Sequence, residues 1–145
     1  MKTNFVNLSE SPLLFTGESY MVIPDINSAI NSVLQDVDHE KVGMVASHIG
    51  IVKRYSKNGK KVKSLRVSFD KRKIKEIEER LKSDASIAGV KIDLNEGELS
   101  PGDWIMVVVI VGEIREKVFP ALINAVDMIK KEATKKEEIY EDGNG

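Results

Sequence analysis

The chain has 145 residues, no cysteine and two histidines, and 41% of it is hydrophobic. That length supports one domain with a substantial core, and the missing thiols exclude disulfides, thiolate metal sites and a cysteine nucleophile. The net charge of −1 hides a segregation: residues 53–82 hold thirteen Lys and Arg against four Asp and Glu, while residues 1–52 hold two against six. Such clustering points to an anionic partner near the middle of the chain.

No run of about 18 apolar residues is present, and no basic-then-apolar leader, so no membrane span or secretory signal is expected and the protein is placed in the cytoplasm. Residues 1–24 read as an irregular arm in which Phe5, Val6 and Leu8 form a short strand and Leu13, Leu14 and Phe15 tuck against the core. From Asp25, an N-cap whose carboxylate can take the free amides of a first turn, Ile26, Ala29, Ile30, Val33, Leu34 and Val37 recur at helical spacing. A strand follows over Val42 to Val52, interrupted at Gly50, where a bulge or close backbone approach is expected. His48 inside it reads as a packed residue rather than a catalyst. Lys53-Arg54-Tyr55 ends this strand, and the loop 56–61 turns on Asn58-Gly59.

Val62 to Phe69 alternates, with Leu65, Val67 and Phe69 on one face and Ser64, Arg66 and Ser68 on the other. Asp70 caps a helix over 71–83 whose apolar side is Ile74, Ile77 and Leu81; Glu76, Glu79 and Arg80 are expected to pair within it. A short run holding Val90, Ile92 and Leu94 enters a turn at Ser100-Pro101-Gly102-Asp103, and the buried run Trp104 to Val111 leaves it, which predicts a hairpin. Val118, Leu122, Ala125, Val126 and Ile129 mark a final helix ending at Lys130 and Lys131, in which Pro120 is expected to cost a hydrogen bond unless it sits in the first turn. These elements predict a single α+β domain over 1–145, with an arm at 1–24, a core at 25–136 and a frayed tail at 137–145. Its sheet is mainly antiparallel, with the helices packed on one side.

Phosphate loops, dinucleotide fingerprints, zinc-protease, serine-hydrolase and calcium-loop motifs are all absent, so neither a metal nor a cofactor is predicted. Glu96 and Glu98 read as solvated turn charge rather than a catalytic carboxylate pair. The candidate site is cationic: Lys53 and Arg54 at a strand end, Arg115 at a strand-to-helix corner, Lys130 and Lys131 at a helix end, and Lys135 and Lys136 beyond it. Converging lysines bind phosphate, and a desolvated lysine can act as base or nucleophile, although lysines at a helix end also simply complement its dipole. The basic segment carries little aromatic interleaving, which argues against nucleic acid as the partner.

Four stretches, GMVASHIGIVK, VKSL, GELSPGD and IREKVFPALINAVDMIKKEATKKEEIYEDG, resemble the large subunit of molybdopterin synthase, the MoaE family. The resemblance spans residues 43–143, and its most specific pieces are G-E-L-x-x-G-D and the late K-x-E-I-Y-E-D-G. It implies a hammerhead-like α+β fold with an additional antiparallel sheet, and a homodimer. It also implies a small ubiquitin-like sulfur-carrier subunit, whose Gly-Gly C-terminus enters a basic pocket and whose thiocarboxylate gives sulfur to cyclic pyranopterin monophosphate. By the same resemblance Lys130 or Lys131 is the essential lysine, Lys136 is the second, and Lys53, Arg54, Arg115 and Lys135 grip substrate and carrier tail. The chain departs from the family pattern at Lys53 (arginine), Ile114 (histidine), His48 (aromatic) and Ala133-Thr134-Lys135 (a Pro-aromatic-Trp segment). A non-catalytic dimeric module for an anionic or ubiquitin-like partner is the alternative these departures leave open.

Overall fold

Among residues 23–141, which the computed structural model describes, the middle of the molecule is β5, Trp104–Gly112. Val107 to Val111 are at most 1% exposed, so this strand has no solvent face. It lies between β1 (Met44–Ile51) and β3 (Ile87–Leu94), antiparallel to both. Its odd residues Val107, Val109 and Val111 join Ala29 and Val33 of α1 (Ile26–Leu34) in one apolar cluster. Its even residues Met106, Val108 and Ile110 join the buried sides of α2 (Lys71–Lys82) and α3 (Arg115–Glu132) in the other. The antiparallel α+β expectation holds, but the helices cover both faces rather than one. A strand apolar at every position has to be covered on both sides.

A second antiparallel sheet has the order β4-β2-β6, built from β2 (Val62–Phe69), β4 (Gly97–Leu99) and β6 (Thr134–Tyr140). β3 and β5 pair as expected, Leu94 opposite Met106, yet the chain between them is not one tight turn. After Leu94 it crosses to the second sheet as β4, with Leu99 opposite Leu65 and Gly97 opposite Val67, before the Ser100–Asp103 turn returns it. That turn is closed twice: the Asp103 amide donates to the Ser100 carbonyl (2.9 Å), and the Ser100 amide to Asp103 Oδ2 (2.8 Å). Gly102, at φ 95°, takes the left-handed position that a Pro-Gly turn requires.

For residues 137–140 the expectation of a frayed tail is corrected by β6, which pairs with β2 from Phe69↔Thr134 to Val62↔Tyr140; residues 142–145 lie outside the described residues. Backbone pairing and the apolar face of β2 fix this strand although its sequence is mostly charged. Ser64 keeps the outer face it shares with Arg66, opposite Ile139, yet is buried there, and its hydroxyl donates to Glu98 Oε1 at 2.9 Å. Asp25 and Asp70 cap α1 and α2 as expected. Glu76 pairs with Arg72 and Lys73 within α2, whereas Arg80 crosses to Glu132 of α3 at 3.2 Å. Pro120 sits in the second turn of α3, leaving the Glu116 carbonyl without its helical amide, and the helix continues to Glu132. The arm residues Phe5, Val6, Leu8, Leu13, Leu14 and Phe15 lie outside the described residues. No described helix is long and apolar enough to cross a membrane.

Candidate functional site

Where the two sheets meet, a cleft of about 520 Å³ has an apolar floor made by Leu65 and Val67 of β2 and Met106 of β5. Its walls come from three parts of the chain. The end of β1 supplies Lys53, held in place because Val52 exchanges two backbone hydrogen bonds with the 100–103 turn: its amide donates to the Asp103 carbonyl and its carbonyl accepts from the Gly102 amide, both at 2.9 Å. The GELSPGD stretch thus sets the aim of Lys53. The last turn of α3 supplies Lys130, and β6 supplies Lys136.

The link between Lys130 and Lys136 is short and stiff. Ala133 alone separates α3 from β6, its amide donates to the Ile129 carbonyl (3.1 Å), and the Thr134 hydroxyl caps that same carbonyl at 2.6 Å. Successive residues of a strand face opposite sides, so Thr134, Lys136, Glu138 and Tyr140 face the cleft. Lys135 faces a neighbouring cleft of about 480 Å³, where Arg66, Glu98 and Glu137 accompany it. Lys130 lines the cleft and Lys131 does not, as expected for helix neighbours rotated by about 100°.

Of the other expected residues, Arg54 is spent on structure. Its guanidinium pairs with Glu141 at 2.8 Å and reaches the Val62 carbonyl, bracing the 54–62 hairpin whose tip is Asn58-Gly59. Arg115 begins α3, about 22 Å along the helix from Lys130, and pairs with its neighbour Glu116. Glu96 accepts from the Phe69 amide and pairs with Lys71. Lys53, Lys130 and Lys136 therefore converge, while Arg54, Arg115, Lys131 and Lys135 stay outside this cleft.

Sequence reasoning missed several members of the cleft wall, Tyr55, Lys57, Glu138 and Tyr140 among them. The alternation of Lys136, Glu138 and Tyr140 was the available signal for the last. It also undervalued His48. In the β1–β5 register His48 is opposite Val108 and Gly50 opposite Met106, which turns the imidazole toward α3. Its Nε2 is buried and has no hydrogen-bond partner among the described residues. Burial, and then the charge of Lys130, holds this imidazole below the ordinary histidine range.

A family profile described as "MoaE protein" matches residues 25–132. No curated protein sequence matches the chain. Among solved structures, the fold is similar to molybdopterin synthase from Staphylococcus aureus, with TM-score 0.69, 19% identity, and 86% of this chain and 90% of that one covered. It is similar also to the molybdopterin biosynthesis MoaE protein from Burkholderia ambifaria, with TM-score 0.66, 22% identity and coverage of 86% and 82%. A third likeness is to a complex of subunits 1 and 2 of molybdopterin-converting factor from Helicobacter pylori, with TM-score 0.59, 16% identity and coverage of 87% and 90%. With more than half of its length matched by the family profile, this chain belongs to the MoaE family.

Proposed function

We propose that the chain is the large subunit of a molybdopterin synthase, a sulfurtransferase acting in the cytoplasm in molybdenum cofactor biosynthesis. It takes sulfur from the thiocarboxylated Gly-Gly terminus of a small ubiquitin-like carrier and delivers it to cyclic pyranopterin monophosphate. The observation that carries this reading is the convergence of Lys53, Lys130 and Lys136, from three distant parts of the sequence, on one cleft with an apolar floor. Family membership and the two-subunit complex of the Helicobacter pylori relative support the carrier as partner. A chain without cysteine can move sulfur when the nucleophile arrives on a partner.

In this reading Lys130 is the catalytic lysine, and Lys136 and Lys53 hold the substrate phosphate and the carrier's terminal carboxyl group. Fixed ammonium groups above an apolar floor stabilise developing negative charge more strongly than water does, because they need no reorganisation. Two copies of the chain form a homodimer with one carrier each. The test is precursor conversion with a thiocarboxylated carrier by wild type, Lys130→Ala and Lys131→Ala. Lys130→Ala is expected to lose at least about 100-fold in kcat, the scale of losing one transition-state charge partner, and Lys131→Ala to stay near wild type.

One observation favours a second reading, a dimeric module that binds the carrier without turnover. Ile114 is the N-cap of α3 but makes no side-chain cap hydrogen bond, and Arg115 beside it is far from the cleft, so this corner gives its own protomer's cleft no polar group. Carrier binding with no product, while another MoaE protein is active in parallel, would establish that reading.

A further inference from the structure

We propose that His48 is a positioning residue for Lys130: its neutral imidazole accepts a hydrogen bond from the Lys130 ammonium once a ligand fills the cleft. The inference rests on the reading of Lys130 as the reactive lysine. A buried ring nitrogen without a partner forfeits a hydrogen bond, so such an atom beside a functional group needs a reason. Gly50 is the ring's neighbour on its own strand: a Cβ there would lie 3.5 Å from Nε2, in ordinary contact, and 3.3 Å from the Met106 side chain.

The groups around the ring leave Lys130 as its natural partner. β5 presents Val108 and Met106, the same face of β1 presents Ala46 and Gly50, and the charged group acting on the ring from α3 is Lys130. Burial and that charge both disfavour the imidazolium, so near neutral pH the ring keeps a lone pair to offer. In the open cleft Lys130 is exposed and solvated by water. A bound substrate and carrier tail displace that water, and His48 then supplies the hydrogen bond the ammonium would lose, fixing its direction. No proton needs to change hands.

Two measurements test this. His39 and His48 are the only histidines, so their ring resonances can be titrated and assigned with His48→Phe as the blank. The His48 midpoint should lie below the ordinary histidine value of about 6.5 and rise in Lys130→Met; an unshifted midpoint, or no response to Lys130→Met, would overturn the proposal. This arm needs no substrate, so it stands apart from any failure of the sulfur-transfer reading. In turnover, His48→Phe should lower kcat about tenfold or more with KM little changed, and His48→Gln, which keeps an acceptor, should recover most of it. Equal kcat for His48→Phe and wild type would also refute it.

Discussion

Single residues decide the chemistry of the cleft, and the sequence left two of those decisions open. Residue pattern alone placed lysines at 130, 131, 135 and 136 without saying which pair shares a cleft; the family resemblance singled out Lys136 but left Lys130 and Lys131 open. Neighbours on a helix diverge by about 100° and neighbours on a strand by about 180°, so only packing can choose. Lys136→Ala should therefore raise KM for the precursor severalfold, while Lys135→Ala leaves it within error; steady-state kinetics on the two variants checks this. His48 adds a pH signature. Its folded-state affinity for protons is below that of the unfolded chain, so the unfolded state binds more protons as pH falls through about 6.5. Stability is therefore complete above that pH and declines as pH drops toward the lowered folded value. Urea unfolding of wild type between about pH 7 and pH 5 should show this loss, and His48→Phe should show less of it. The sequence marked His48 as packed, which is true, but could not reveal that the charge of Lys130 would act on it.

Elements with a strong local signal were legible. Asp25 and Asp70 mark the starts of α1 and α2, and the apolar spacing of Ile74, Ile77 and Leu81 gives the buried face of α2. β6 was not legible, because Thr134 to Tyr140 is charged enough to pass for a solvated tail and becomes a strand only through its pairing with β2. β4 was hidden for a similar reason: three residues carry too little pattern to show that they cross to another sheet. The junction of β5 with α3 gives a prediction at this scale. A Cβ on Gly112 would meet the Ser86 carbonyl oxygen at 2.5 Å and Val118 Cγ2 at 2.7 Å. Backbone on one side and a fully buried valine on the other cannot both yield. Gly112→Ala should cost about 1–3 kcal/mol of stability, the usual scale of overpacking, measured by denaturant titration.

For the molecule as a whole, the charge segregation located the site only in part. Of the thirteen basic residues in 53–82, Lys53 and Lys57 face the cleft; others pair with carboxylates, as Arg54 does with Glu141 and Lys71 with Glu96. The cleft draws Lys130 and Lys136 from elsewhere in the chain, so its positive character is a product of the fold. Four lysines against Glu138 should attract an anionic precursor in a salt-dependent way. Raising ionic strength from about 0.05 to 0.5 M should increase KM severalfold with little change in kcat, since screening acts on encounter and binding of exposed charges. The family likeness foresaw the antiparallel α+β architecture. It could not foresee that α1 covers the face of β5 opposite α2 and α3, which follows from an apolar run with no polar side.

The single residue between α3 and β6 makes the site a matter of parity. Counted from the capped Ile129 carbonyl, even-numbered positions of the strand look into the cleft, and nothing slack intervenes to reset the count. One alanine inserted between Ala133 and Thr134 would exchange the two faces of β6, turning Lys135 and Glu137 inward and Lys136 out. The lysine would survive but a different carboxylate would face it, and the apolar face of β2 would meet the wrong neighbours. An insertion of two residues restores the faces. The doubly inserted chain should thus retain more precursor conversion than the singly inserted one, an ordering opposite to the size of the change.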